Sequence, residues 1–247
     1  MASNYWFEED LERVIESFNP TSFFGLPASM FNSKGDLRYC NTEPLKLTRG
    51  HWDYFTPFKG WIRCGLDIDK FGNSGAQWLA CDGAAGEWAV GFHGLRRDVL
   101  EVLKRIAFEG FKVFQGKYSE WGAKSKDIGP NASSFQEKIC GQGIFLTPQL
   151  KYLTDNIENC RLMKPIQYNK YYYIDVALQC RIQPKKIRVP ECASNQYYII
   201  NNPIYARPYG ILVRFMTEAE AITIFADNNY NLEPVIPFVE QDVTPVN

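Results

Sequence analysis

The residues able to do chemistry are few. Only two histidines occur, His51 and His93, and no third ligand type clusters near either, so a catalytic zinc site is not expected. There are seven cysteines, an odd number, and none forms a C-x-x-C pair. A disulfide framework or zinc ribbon is therefore not expected. Cys64 (in WIRCGL) and Cys180 (in VALQCRI) lie in apolar runs, where cysteine acts as a small buried hydrophobe. A cysteine nucleophile with His93 as base stays open, but no local signature favours any one cysteine. Asp67-x-Asp69 begins like a calcium loop, yet Phe71 and Trp78 stand where oxygen ligands belong. It reads instead as a solvated strand end. Gly141-x-Gly143 is followed by Leu146 rather than a third glycine, and no helix opens there, so it does not make a dinucleotide fingerprint. The basic run PKKIR (184–188) reads as a solvated turn, and the glycosylation sequon at Asn131 as idle.

Several elements must position these groups. EEDLERVIESF (8–18) has helix periodicity, and residues 19–60 read as an irregular lead-in covering a core surface. WIRCGLDI (61–68) and EWAVGFHG (87–94) read as strands, separated by a turn at DGAAG (82–86). In RRDVLEVLKRIAFEG (96–110), Val99, Leu103 and Ile106 recur at helix spacing and Gly110 marks the stop. Residues 116–140 read as a long surface loop. GQGIFL (141–146) reads as a short strand, and Thr147-Pro148 as the N-cap and first position of a helix over 147–158. Strands follow in YYYIDVALQCRI, KKIRV, QYYIINN and GILVRFM; 217–226 is expected to be helical and the Pro-rich end extended. This order gives an α+β fold rather than an alternating parallel sheet.

His93 sits at the end of an apolar strand, before Gly94 and an amphipathic helix. Such a histidine is commonly a packed core residue. The order of segments adds a second reading. His93-Gly94, then Glu109-Gly110-Phe111, Gly143-Ile144-Phe145 and Asn195-Gln196-Tyr197 form one series. That series resembles the catalytic domain of the poly(ADP-ribose) polymerase-like ADP-ribosyltransferases over roughly residues 87–216. Arg207-Pro208-Tyr209-Gly210-Ile211 also resembles a signature of some uncharacterised fungal and protist proteins.

The resemblance implies a split antiparallel β-sheet core with flanking helices, and NAD as substrate. By position, His93 would bond a ribose hydroxyl, Gly94 would meet the nicotinamide amide, and Phe145 would stack on the ring. Three positions depart. The family's second stacking aromatic, eleven residues after the first, is Asn156 here. The serine that holds the amide aligns with Leu153, and the catalytic glutamate aligns with Gln196. Glutamine is nearly isosteric but uncharged, so it gives no charge stabilisation to an oxocarbenium-like state. Tyr152 or Tyr118 would have to supply the missing ring. The resemblance therefore implies a binding or structural module, non-catalytic or impaired. The alternatives are an active mono-ADP-ribosyltransferase, or an unrelated β-rich protein with His93 merely packed.

Composition sets the outer limits. The 247 residues carry a net charge of −1, with 45% hydrophobic, 15% aromatic and 22% charged residues. That excludes wholesale disorder and leaves no field to attract nucleic acid or an acidic membrane. No apolar run approaches a membrane span, and the acidic start is unlike a signal peptide, so an intracellular, cytoplasmic setting is expected. The expected organisation is an N-terminal extension (1–60), one α+β domain (61–226) and a tail (227–247). Both ends would contact other proteins in a larger assembly, cytoskeletal or other, without a metal.

Overall fold

The computed structural model describes residues 12–72, 75–84, 86–95, 99–111, 143–154, 161–165, 171–189, 197–216 and 220. The loop at 116–140, Asn156, Gln196 and the tail from 227 lie outside them. The described chain is α+β, with antiparallel sheets and few helices.

The central sheet is built on two long strands, β8 (Tyr171–Ile182) and β10 (Ala206–Met216). Both are dense in β-branched and aromatic residues, which suit a pleated surface buried on two sides. The strands β1 (Leu37–Arg38) and β4 (Trp61–Gly65) extend the sheet beyond β10. The other edge of β8 is shared end to end. β5 (Ala89–Gly94) pairs with its second half and β7 (Arg161–Pro165) with its first. All pairings are antiparallel.

Alternation along β8 divides its side chains between two apolar layers. Ile174, Val176, Leu178, Cys180 and Ile182 point to the larger layer. There they meet Phe24 and Leu26 from the lead-in, Leu103 and Ile106, and the small sheet of β6 (Ile144–Leu146) and β9 (Tyr198–Ile200). Leu103 and Ile106 are fully buried and belong to helix α3 (Val99–Glu109), which follows α1 (Pro20–Phe24) and α2 (Gly75–Leu79). Each such side chain contributes about 1.5–3 kcal/mol by burial. Gly110 ends α3 at φ 76°, the left-handed stop expected from sequence.

The opposite layer holds Trp61, Val90, Phe92, Ala177 and Leu212 with Tyr39, Tyr54 and Leu150. It lies under a hairpin of β2 (Lys46–Arg49) and β3 (Trp52–Phe55). Gly50 and His51 join the two strands, both at positive φ (56° and 64°), as a two-residue hairpin turn of the primed kind requires. His51 is thus an exposed turn residue. The lead-in is accordingly more ordered than its composition predicts. The expected helix at 147–158 also starts later, as α4 (Lys151–Thr154); Thr147 bridges to Phe92, and its hydroxyl accepts from the Gln149 amide in the manner of a cap.

Candidate functional site

His93 faces the larger layer near the end of β5, opposite Leu178 of β8. The residue is 6% exposed. The Nδ1–H donates to the Phe145 carbonyl on β6 at 2.8 Å. A carbonyl only accepts, so Nδ1 carries the proton and Nε2 holds a lone pair. The ring also meets Phe111 edge to face, 5.0 Å between centroids. Burial holds the His93 pKa below its ordinary value, and the bond to Phe145 opposes that shift only in part. Burial therefore favours the neutral imidazole. Its Nε2 is buried and has no hydrogen-bond partner among the described residues.

The other residues singled out from sequence are only partly brought together. Gly94 ends β5 opposite Ala177 and is half-buried. Phe145 is half-buried between two core residues of β6, joined to His93 through its main chain. Tyr152 is half-buried on α4, with Lys151 Nζ 5.1 Å from its ring centre. Leu153, one residue on, packs with the layer opposite to His93. Gln196 lies outside the described residues.

A second constellation, absent from the sequence reading, lies on the other face of the sheet. Tyr39, Tyr54, Arg63, Gln179, Arg181 and Tyr209 line a cavity of about 380 Å³, with apolar walls from Leu37, Leu47, Pro57 and Val90. Gln179 and Arg181 alternate with apolar residues on β8 and are only 2% and 3% exposed. Gln179 Oε1 accepts from Tyr39 Oη and from Arg63 Nη1, each at 3.2 Å. Arg63 Nε donates to the Gly35 carbonyl at 2.8 Å. Arg181 is fixed by the carbonyls of Trp88 (2.7 Å), Leu79 (3.0 Å) and Ala80 (3.3 Å) and by the Cys81 sulfur (3.2 Å). Buried Glu87 balances it at 3.9 Å while also pairing with Arg49 at 3.3 Å.

The segment Arg207–Ile211 shapes one wall of this cavity. β10 bulges between Pro208 and Gly210, where a proline lacking an N–H is tolerated. The extra residue, Tyr209, lies under both guanidinium groups, 5.2 Å from Arg63 and 5.7 Å from Arg181. Burial pushes its hydroxyl well above the usual tyrosine range, against the pull of Arg181 and Arg63. Gly210 leaves room for Arg63: a Cβ there would lie 2.6 Å from the Arg63 Cγ and Cδ. Arg207 is held on the neighbouring aromatics, 4.6 Å from the Trp88 ring and 5.2 Å from Trp78.

The sequence signal for this site is polar residues two apart inside apolar strands. Arg63 interrupts WIRCGL, and Gln179 and Arg181 interrupt VALQCRI. Elsewhere, Asp67 is half-buried and its carboxylate accepts from the Asp69 amide at 3.2 Å, closing a local turn where a solvated strand end was expected. Among the described residues, no group of His, Cys, Asp and Glu is arranged to hold a metal ion. No helix among them is long and apolar enough to cross a membrane. No protein-family model matches the chain, and no curated protein matches it.

Proposed function

We propose that this chain is an ADP-ribosyltransferase-like binding module, non-catalytic or catalytically impaired, that serves as a structural component of a larger intracellular protein assembly. The observation that carries this reading is the packing of His93. The residue is 6% exposed, its Nδ1–H is committed to the Phe145 carbonyl and Phe111 closes on its ring. A histidine that bonds a substrate ribose must be reachable, whereas this one is built into the core. Two further features agree. Gln196 stands where the family has its glutamate, and Leu153, at the amide-binding serine position, packs with the layer opposite to His93. The end-to-end arrangement of β5 and β7 along one edge of β8 supports the split-sheet fold. Exposed Phe108 (59%) and Ile204 (60%) offer apolar contact to a partner. In this reading the tail 227–247 holds the module in place, since residues 20–60 are packed into the module itself. Deleting residues 233–247 is expected to weaken its incorporation; undiminished incorporation counts against the tail as a contact.

An active mono-ADP-ribosyltransferase is the second reading, favoured by one observation. The Nε2 lone pair of His93 has no partner among the described residues and has the polarity to accept a bond from a ribose hydroxyl. NAD would then meet His93, Gly94, Phe145 and Tyr152, with Gln196 unable to supply charge. Thermal unfolding of the full chain in millimolar NAD separates the two. The first reading expects no shift in midpoint; a shift that His93→Ala removes favours the second.

A further inference from the structure

We propose that the cavity on the sheet face opposite His93 binds a small aromatic acid, a flat apolar body ending in a carboxylate or phosphate. Four observations lead there. First, the lining presents donors. The Gln179 oxygen is already used twice, by Tyr39 and Arg63, which leaves its amide N–H groups toward the cavity. Nε and Nη1 of Arg63 bond the Gly35 carbonyl and Gln179, and the guanidinium also bonds Tyr39, which fixes its plane at the cavity wall. The hydroxyls of Tyr54 and Tyr209 have no hydrogen-bond partner among the described residues, and burial keeps both protonated.

Second, the charge is uncompensated. Glu87 serves Arg181 and Arg49, while no carboxylate among the described residues pairs with Arg63. A cation with aligned donors and no counter-ion favours an oxyanion, since charge-assisted bonds are the stronger kind. Third, the site is preorganised. The Gly35 carbonyl, Gln179 and the Tyr209 ring hold the Arg63 guanidinium, and Gly210 gives its stem room. Little ordering then remains to oppose binding. Fourth, the size exceeds a bare oxyanion. The volume of about 380 Å³ equals the share of about a dozen waters. Its walls of Tyr39, Tyr54, Val90 and Leu47 suit a flat apolar body.

The test uses the full chain and calorimetric titration with benzoate, phenyl phosphate, inorganic phosphate and uncharged benzyl alcohol. One or both aromatic acids are expected to bind at least about tenfold more tightly than benzyl alcohol and than inorganic phosphate. Preference between the two assigns the head group as carboxylate or phosphate. Gln179→Glu places a carboxylate against Arg63, and it is expected to lower the acid's affinity at least about tenfold without lowering the unfolding temperature. Tyr54→Phe removes one hydroxyl at the cavity wall and is expected to weaken binding several-fold; it decides the matter should Gln179→Glu fail to fold. The proposal is overturned if no aromatic acid binds at millimolar concentration. It is equally overturned if benzyl alcohol or inorganic phosphate binds as well, or if the folded variants bind as wild type does. NAD plays no part in these titrations, so their outcome is separate from that of the proposed function.

Discussion

At the scale of single residues, His93 is the most informative group. Burial lowers its pKa, while the unfolded chain titrates at about 6.5. Above that pH the imidazole is neutral in both states and costs nothing. As pH falls through about 6.5 the unfolded state takes up a proton that the folded state resists. Stability is therefore present above this window and lost as pH drops toward the lower folded value. Urea unfolding between pH 7.5 and 5.5 is expected to show a falling midpoint for wild type. His93→Gln keeps a donor for Phe145 but does not titrate, and is expected to flatten that slope. An unchanged slope would mean that His93 is not held neutral by the fold. Sequence marked this residue from its place at a strand end before glycine. It gave no sign that Arg63 and Arg181 point to the same face, because that depends on pairing across β4, β10 and β8.

At the scale of elements, strong patterns were legible and short ones were not. YYYIDVALQCRI forms β8 over the stretch read from sequence, since twelve residues rich in β-formers have little else to become. The hairpin of β2 and β3 has no strong pattern, because its strands have four residues each and its turn uses Gly50-His51. Nor does β7, with a lysine and a proline in five residues. It is a strand because β8 offers it an edge. The bulge in β10 is the element that couples fold to cavity. Gly210→Ala would press a methyl group into the Arg63 stem. Overpacking of this kind is expected to cost about 1–3 kcal/mol, measured by urea unfolding, and to displace Arg63. Wild-type stability in this variant would show that Arg63 moves aside freely.

For the whole molecule, two apolar layers on one antiparallel sheet account for which groups are reachable. Cys64 and Cys180 lie in the larger layer, and burial pushes the Cys64 thiol up to about 12 and Cys180 well above its ordinary value. Cys40 and Cys81 are exposed. Brief alkylation of the folded chain, read by mass spectrometry, is expected to modify Cys40 and Cys81 and to spare Cys64 and Cys180 until denaturant is added. Rapid labelling of Cys180 would contradict the sheet order. The same layering buries His93 while leaving the arginine-lined cavity on the other face, which is why we propose a binding role in preference to turnover of NAD. The most direct measurement of that claim is incubation of the full chain with NAD labelled in both halves, with release of nicotinamide and transfer of ADP-ribose followed together. The account predicts neither above the level of a His93→Ala control. Release or transfer that disappears in the control would contradict it.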